Sequence, residues 1–338
     1  MSVMSLFSKK TKQPAELTTE MLTGFFGKLP ARPDFVRHQT SHPAIKMLDQ
    51  WIHEGIAYLV RRFPGDWKER VSGFPAINFY VAGDGNGAVI SGVIQPSHDN
   101  TGRHHPIVNF SMLKNMNPVA ILPLVPFHFE DFYSAASILG NGASESLALD
   151  AFTQKNISLA SELPDLKVSN CAQRRSGVFT ETTMSKFWAD VVPDFDQTRR
   201  LTFIRDIIQT LRLAANRGPL RTAWGIRFPL GTKNQRNMEV SFWLSLVTSY
   251  VADDKWRPHV FWTEEGEGLM AALTLYFRAP GASSFAQLVC PECDEGGVVD
   301  LVRRPLENMP EITEQNLTDL ANGEFLNLEQ GLQAWGRS

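Results

Sequence analysis

The amino-acid sequence predicts a mixed α/β protein with a largely antiparallel sheet, and three observations carry that expectation. A helical apolar stripe over residues 45–63 runs into three strand-like segments. A second helical stripe over residues 201–211 again leads into strand-like segments. Gly, Pro and Asx residues mark the changes of period between them.

In the first stripe, Ile45, Leu48, Trp51, Ile52, Ile56, Leu59, Val60 and Phe63 recur at three- and four-residue spacing, so they share one helix face. Ser41 or His42 serves as N-cap with Pro43 in the first turn, and Pro64-Gly65 stops the helix. Strands follow at about 76–82, 88–95 and 106–112, the first two joined by a hairpin at Asp84-Gly85-Asn86-Gly87. The next connection, residues 96–105, is about ten residues long, beyond the usual two to five of a hairpin loop, and suggests a task. Residues 140–180 weaken into Gly, Ser and Pro-Asp turns with short helical pieces. Asp196 or Thr198 then opens a helix carrying Leu201, Ile204, Ile207, Ile208 and Leu211, closed by Gly218-Pro219. Strands are expected at 222–228, 258–263 and 269–278, around a helix beginning near Met238 that is apolar on nearly all sides. After Pro310, a short helix with Leu317 and Leu320 breaks at Asn322-Gly323, and a last amphipathic piece with Leu328, Leu332 and Trp335 docks on the body. The expected organisation is a flexible tail over residues 1–15, a first domain over 16–145 and a second α/β half over 146–338.

Composition narrows the function classes. The 338 residues carry a net charge of -3 with acids and bases nearly balanced, so no reservoir of cations drives nucleic-acid binding. With 8 Trp and 22 Phe, most of the chain should fold. Cys171, Cys290 and Cys293 are too few for a disulfide framework and fit a reducing compartment, the cytoplasm. No apolar run reaches the roughly 20 residues that cross a bilayer.

Two stretches could carry chemistry. The first runs from Gly24 to Arg37 with Gly27, Lys28, Pro30, Arg32, Pro33, Asp34 and Phe35 between. A phosphate-binding loop would need Gly at position 22 and Ser or Thr at 29, where the chain has Leu22 and Leu29. The stretch reads either as a Gly-hinged strand with a Pro-stiffened turn, or as a rigid turn presenting Lys28, Arg32, Asp34 and Arg37. The second is the long loop with Pro96, Ser97, His98, Asp99, Gly102, Arg103, His104, His105 and Pro106. Consecutive Ser97, His98 and Asp99 side chains diverge, whereas a catalytic triad needs hydrogen bonds in series. The histidines lack the spacing of a metal motif, so no metal and no cofactor is expected. An ion pair from Arg103 to Asp34 or Asp99 is expected to pin the loop. Cys290-Pro291-Glu292-Cys293 looks like half a zinc ribbon, but without a second pair it reads as two reduced thiols in a turn. Trp224, Trp243, Trp256 and Trp262 read as core and rim aromatics.

Taken together, the two stretches resemble the signature of the TagF (ImpM) family, accessory proteins of bacterial type VI secretion systems. Its GxxGKLPxxGDF segment is matched by Gly24, Gly27, Lys28, Leu29, Pro30, Asp34 and Phe35. Its PSxDxxGRxxP loop is matched by Pro96, Ser97, Asp99, Gly102, Arg103 and Pro106. The chain departs from the family at Pro33, where Gly is usual, and at His104-His105, where an aromatic pair is usual. The resemblance is specific over about residues 20–115. It implies a three-layer α/β/α sandwich and a cytoplasmic protein that represses secretion after translation, in part by binding the forkhead-associated scaffold protein Fha. On that reading Lys28, Arg32, Asp34, Arg37, Ser97, Asp99 and Arg103 form a partner-binding corner without catalytic residues. Gly24, Gly27, Pro30, Phe35, Pro96, Gly102 and Pro106 shape it. Two alternatives remain: an enzyme acting on a phosphorylated or peptide substrate through the Asp99/Arg103 loop, and a structural subunit of the secretion baseplate.

Overall fold

In the computed structural model, the described residues are 21–83, 87–142, 147–162, 168–231, 235–251, 253–263, 270–290, 293, 297–301 and 315–336. The expected tail and the Asp84-Gly85-Asn86 turn lie outside them.

One sheet organises the chain. Its strands are β1 (Leu22–Gly27), β2 (Val36–His38), β3 (Ile77–Ala82), β4 (Val89–Gln95), β5 (Ile107–Leu113), β6 (Gly225–Pro229), β7 (His259–Thr263), β8 (Ala272–Tyr276) and β9 (Val298–Asp300). They lie in the order β2-β1-β5-β4-β3-β7-β8-β6-β9. Every neighbouring pair is antiparallel except β6 with β9, so the sheet is mixed and largely antiparallel as the sequence predicts. The second half builds no sheet of its own. Its β7 pairs with β3, placing Phe79 opposite Phe261 and Asn78 opposite Trp262, and the ladder continues outward.

Helices cover both faces. On one lie α1 (Pro43–Arg62), α2 (Trp67–Gly73) and α11 (Ala282–Val289), packed on Phe26, Ile77, Phe79, Val81, Ile90 and Ile94. On the other lie α3 (Pro118–Ile121), α4 (Val125–His128), α5 (Glu130–Gly142), α6 (Leu149–Glu162), α7 (Val168–Glu181), α8 (Met184–Val191), α9 (Gln197–Arg217), α10 (Arg236–Tyr250), α12 (Gln315–Asn322) and α13 (Leu328–Gly336). These pack on Phe25, Tyr80, Ala82, Val89 and Val93. Adjacent residues of a strand point to opposite faces, and here both faces are interior. Hence β4 and β5 are buried at every position, and their sequences read as continuous apolar runs rather than an in-out alternation.

The expected helix stops and starts have visible causes. His42 caps α1 by accepting from the Ala44 N–H at 3.3 Å, with Pro43 first in the helix. Asp196 caps α9 by accepting from the Arg199 N–H at 2.8 Å, and Gly218 ends it at φ 85°. Helix α10 is buried nearly all round: Trp243 stacks on Phe228 at 5.0 Å and donates its Nε1 to the Pro229 carbonyl at 2.9 Å. Trp335 of α13 is fully buried beside it, at 6.2 Å from the Trp243 ring. The sequence reading did not register β2, α2, α5, α8, α11 or β9; all but α5 are eight residues or shorter and take their structure from neighbours. Helices α6 and α7 are also longer than the short pieces expected between residues 140 and 180.

The two sequence halves also meet between helices α1 and α11. Trp51 donates to the Gly281 carbonyl at 2.8 Å and meets the Phe285 ring edge-on at 5.4 Å. A Cβ at Gly55 would lie 2.5 Å from the Phe285 Cβ, so the close approach needs glycine. Gly55→Ala is expected to lower the unfolding free energy by about 2 kcal/mol through overpacking, read as a fall in the urea midpoint at unchanged m-value.

Candidate functional site

Strand β1 ends at Gly27 with φ 135°, where a Cβ would lie 2.1 Å from the Pro106 carbonyl oxygen; only glycine brings the two signature segments this close. Beyond it the chain turns, with Arg32 N–H donating to the Leu29 carbonyl at 3.1 Å. The second segment is more regular than a long loop. His98 and His104 form an antiparallel bridge, and His105 N–H donates to the Ser97 carbonyl at 3.0 Å. Asp99 N–H donates to the Arg103 carbonyl at 3.1 Å, and Gly102 turns the chain at φ 78°. Its length is therefore taken up by a small hairpin.

At the root of this hairpin the Asp99 carboxylate is shut away from solvent. Its Oδ1 accepts from the Thr101 N–H at 2.9 Å, the Thr101 hydroxyl at 2.7 Å and the Arg103 N–H at 3.0 Å. Its Oδ2 accepts from Arg103 Nε at 2.7 Å and forms a short ion pair with Lys28 Nζ. Arg103 also donates Nη2 to the Pro33 carbonyl, and Ser97 donates its hydroxyl to the Lys28 carbonyl at 2.7 Å. Asn100 N–H reaches the Arg32 carbonyl at 3.4 Å. Burial acts to raise the Asp99 pKa, but the hydrogen bonds from Lys28, Thr101 and Arg103 outweigh it and hold the carboxyl well below the usual carboxylate range.

The structure thus brings Lys28, Ser97, Asp99 and Arg103 together, with the backbone of Arg32 and Pro33. It resolves the two expected acceptors of Arg103 in favour of Asp99; Asp34 is exposed and has no ion-pair partner among the described residues. Arg37 belongs elsewhere: it pairs with Asp49 of α1 at 3.0 Å, its guanidinium 4.2 Å from the Phe35 ring centroid. No Ser-His-Asp relay forms, because the Ser97 hydroxyl is committed to the Lys28 carbonyl and His98 Nδ1 lies against the Asp99 carbonyl at 3.0 Å. Among the described residues, no group of three His, Cys, Asp or Glu side chains is placed to hold a metal ion.

Between this corner and α1 opens a cleft of about 650 Å³, lined among others by Lys28, Asp34, His53, Arg61, Arg103 and His105. Three cations face one carboxylate across it, which makes the cleft attractive to an anionic group. Sequence reading missed His53, Arg61 and the contribution of α2, whose Ser72 hydroxyl lies 2.8 Å from His104 Nδ1 and whose Trp67 meets the His104 ring edge-on. The i, i+8 spacing of His53 and Arg61 on one helix was the available signal. His105 is buried, edge-on to Phe35 at 4.9 Å, with Nδ1 donating to the Pro106 carbonyl at 2.8 Å. Burial pushes its pKa down to about 4.

Asp99→Asn is expected to cost about 3 kcal/mol, because it strands a Lys28 ammonium whose side chain is only 13% exposed. Asp34→Ala, at an exposed site, should stay within about 0.5 kcal/mol of the parent; urea melts of both variants test the contrast. Stability should also fall as the pH drops below about 6.5, the ordinary histidine value. There the unfolded chain gains a proton at position 105 that the folded chain refuses until about pH 4. His105→Phe, an aromatic of similar size that does not titrate, should flatten that slope in urea midpoints measured from pH 7.5 to 4.5.

Residues 24–158 match the model of the TagF N-terminal domain, type VI secretion system-associated. Among solved structures, the crystal structure of PA0076 from Pseudomonas aeruginosa PAO1 is similar at 17% identity and a TM-score of 0.49, covering 86% of this chain and all of that one. No curated protein matches the sequence. Over residues 24–158, which hold both signature segments and the Asp99 corner, this chain carries the N-terminal domain of the TagF family, associated with type VI secretion.

Proposed function

We propose that the protein is a cytoplasmic, post-translational repressor of a type VI secretion system that works by holding a partner protein, the forkhead-associated scaffold Fha, in the cleft beside Asp99. The observation that carries this reading is the buried Asp99 carboxylate, which ties both family segments into one rigid rim and leaves Arg32, Asp34, Arg61 and part of Arg103 outside to meet a partner. A rim already ordered in the free protein loses little entropy on binding. Repression then follows mass action: scaffold held by this protein is unavailable for assembly, to a degree set by concentration and affinity. The contact is expected to involve an acidic segment of the partner, given the cations in the cleft.

An enzymatic reading would use Asp99 as a general base. All its donors favour the anion, so it is a poor proton acceptor near neutral pH, and the side chain has no open face toward the cleft.

Purified protein and Fha from the same bacterium, titrated by calorimetry, test the proposal. Arg32→Glu and Arg61→Glu are expected to weaken binding about tenfold each, with melting temperatures near that of the parent and an affinity that falls with added salt. Undiminished affinity in both variants would move the docking face away from the cleft. Absence of any Fha binding by the parent would remove Fha as the partner.

A further inference from the structure

On the sheet face covered by α1, α2 and α11, Cys290 and Cys293 stand at the end of α11, apart from the cleft. Cys293 N–H donates to the Cys290 carbonyl at 2.9 Å. A bond from residue i+3 back to residue i holds the two Cα atoms within about 7 Å, the range a disulfide spans. Arg70 of α2 points Nη1 at Cys290 Sγ from 2.6 Å. That guanidinium is itself held from two other directions. Its Nε and Nη2 donate to Asp66 Oδ2 at 2.9 and 2.8 Å, and it lies 4.3 Å from the Phe63 ring centroid.

A fixed positive charge against a sulfur favours thiolate over thiol, and the thiolate is the nucleophile of sulfur chemistry. The same charge repels a divalent cation, which tells against reading Cys-x-x-Cys here as half of a zinc site. The partner thiol lies three residues away, within reach. The two cysteines are 2% and 7% exposed, so a small oxidant is favoured over a bulky disulfide such as oxidised glutathione.

We propose that Cys290 and Cys293 form a redox-active dithiol that closes to an intramolecular disulfide under hydrogen peroxide. The Cys290 thiolate attacks one peroxide oxygen; the O–O bond breaks, leaving a sulfenic acid on Cys290 and a hydroxide that takes up a proton as water. The Cys293 sulfur then attacks the Cys290 sulfur, forming the S–S bond and expelling the sulfenic oxygen as a second water with the Cys293 proton. Two thiols lose two electrons, and one peroxide is reduced to two waters. In a reducing compartment such a bond is transient, which suits a sensor rather than a structural staple. Closing it also takes the charged acceptor from Arg70, on the helix whose Ser72 and Trp67 touch His104.

The test uses the full chain, fully reduced, exposed to hydrogen peroxide and then alkylated and weighed intact. The expected result is a species carrying one alkyl group and about 2 Da lighter than the singly alkylated dithiol, the two hydrogens of a disulfide. It should be unalkylated at positions 290 and 293, alkylated at Cys171, and restored by dithiothreitol. Cys293→Ser should stop at the sulfenic acid, captured by dimedone on Cys290. Arg70→Gln should slow closure about tenfold or more, with a circular dichroism spectrum like the parent's. Wild-type protein that keeps both thiols alkylatable after peroxide, or that carries a stoichiometric metal protecting them, overturns the proposal without any variant. Closure of Arg70→Gln at the parent rate would overturn the role given to the guanidinium.

Discussion

A carboxylate taken out of water has to be met by hydrogen bonds and charge, and in this protein Asp99 is met from two sides of the chain. Four donors, from Thr101 and Arg103, come from its own hairpin, which makes the turn; the Lys28 ammonium comes from the end of β1, across 71 positions of sequence. Neither segment has a reason to hold its shape without the other. Lys28 would be a mostly buried cation without its counter-ion, and the hairpin would be one more exposed turn. The pairing also explains why glycine stands at position 27, since the two backbones must nearly touch before an ammonium on one can reach a carboxylate on the other.

The corner is rigid because the sheet beneath it is. Strands β1, β5 and β4 carry both segments and are interior on both faces, so their register cannot slip without carrying apolar side chains out of one core and into the wrong one. Small residues make room where elements crowd. A Cβ at Gly92 would lie 2.1 Å from the Asn109 carbonyl oxygen. Some polar groups inside the layers pair across elements, as where Asn156 of α6 donates to Asn109 at 3.2 Å and Thr23 donates to the Asn156 carbonyl at 2.8 Å. The second half of the chain adds to this frame. It extends the ladder from β3 and closes the outer layers with α11 on one side and the Trp243 cluster on the other.

Two chemistries are kept apart by this architecture. The cleft beside Asp99 presents fixed charge to solvent, as a docking surface requires, while its one buried carboxylate is committed to structure. The cysteine pair is enclosed, with the Arg70 guanidinium against the Cys290 sulfur, and α2 stands between the two places. Its Arg70 faces the sulfur and its Ser72 and Trp67 face His104.

Much of the frame was legible in the residues themselves. The stripe from Ile45 to Phe63, the apolar runs that became β3, β4 and β5, and the caps at His42 and Asp196 follow from local spacing and local hydrogen bonding, which a sequence displays directly. The candidate corner was legible too, because Gly, Pro and paired charges are the residues that rigid turns need. Tertiary structure alone decided which partner each charge took. Lys28 and Arg103 share Asp99, Asp34 is left in solvent and Arg37 goes to Asp49, and these pairings depend on distances between elements that no local pattern encodes. The same holds for β2, α2, α11 and β9, too short for periodicity to reveal, and for the union of both halves in one sheet. Strand order is set by which apolar faces can be buried together, a property of the whole chain and not of any segment.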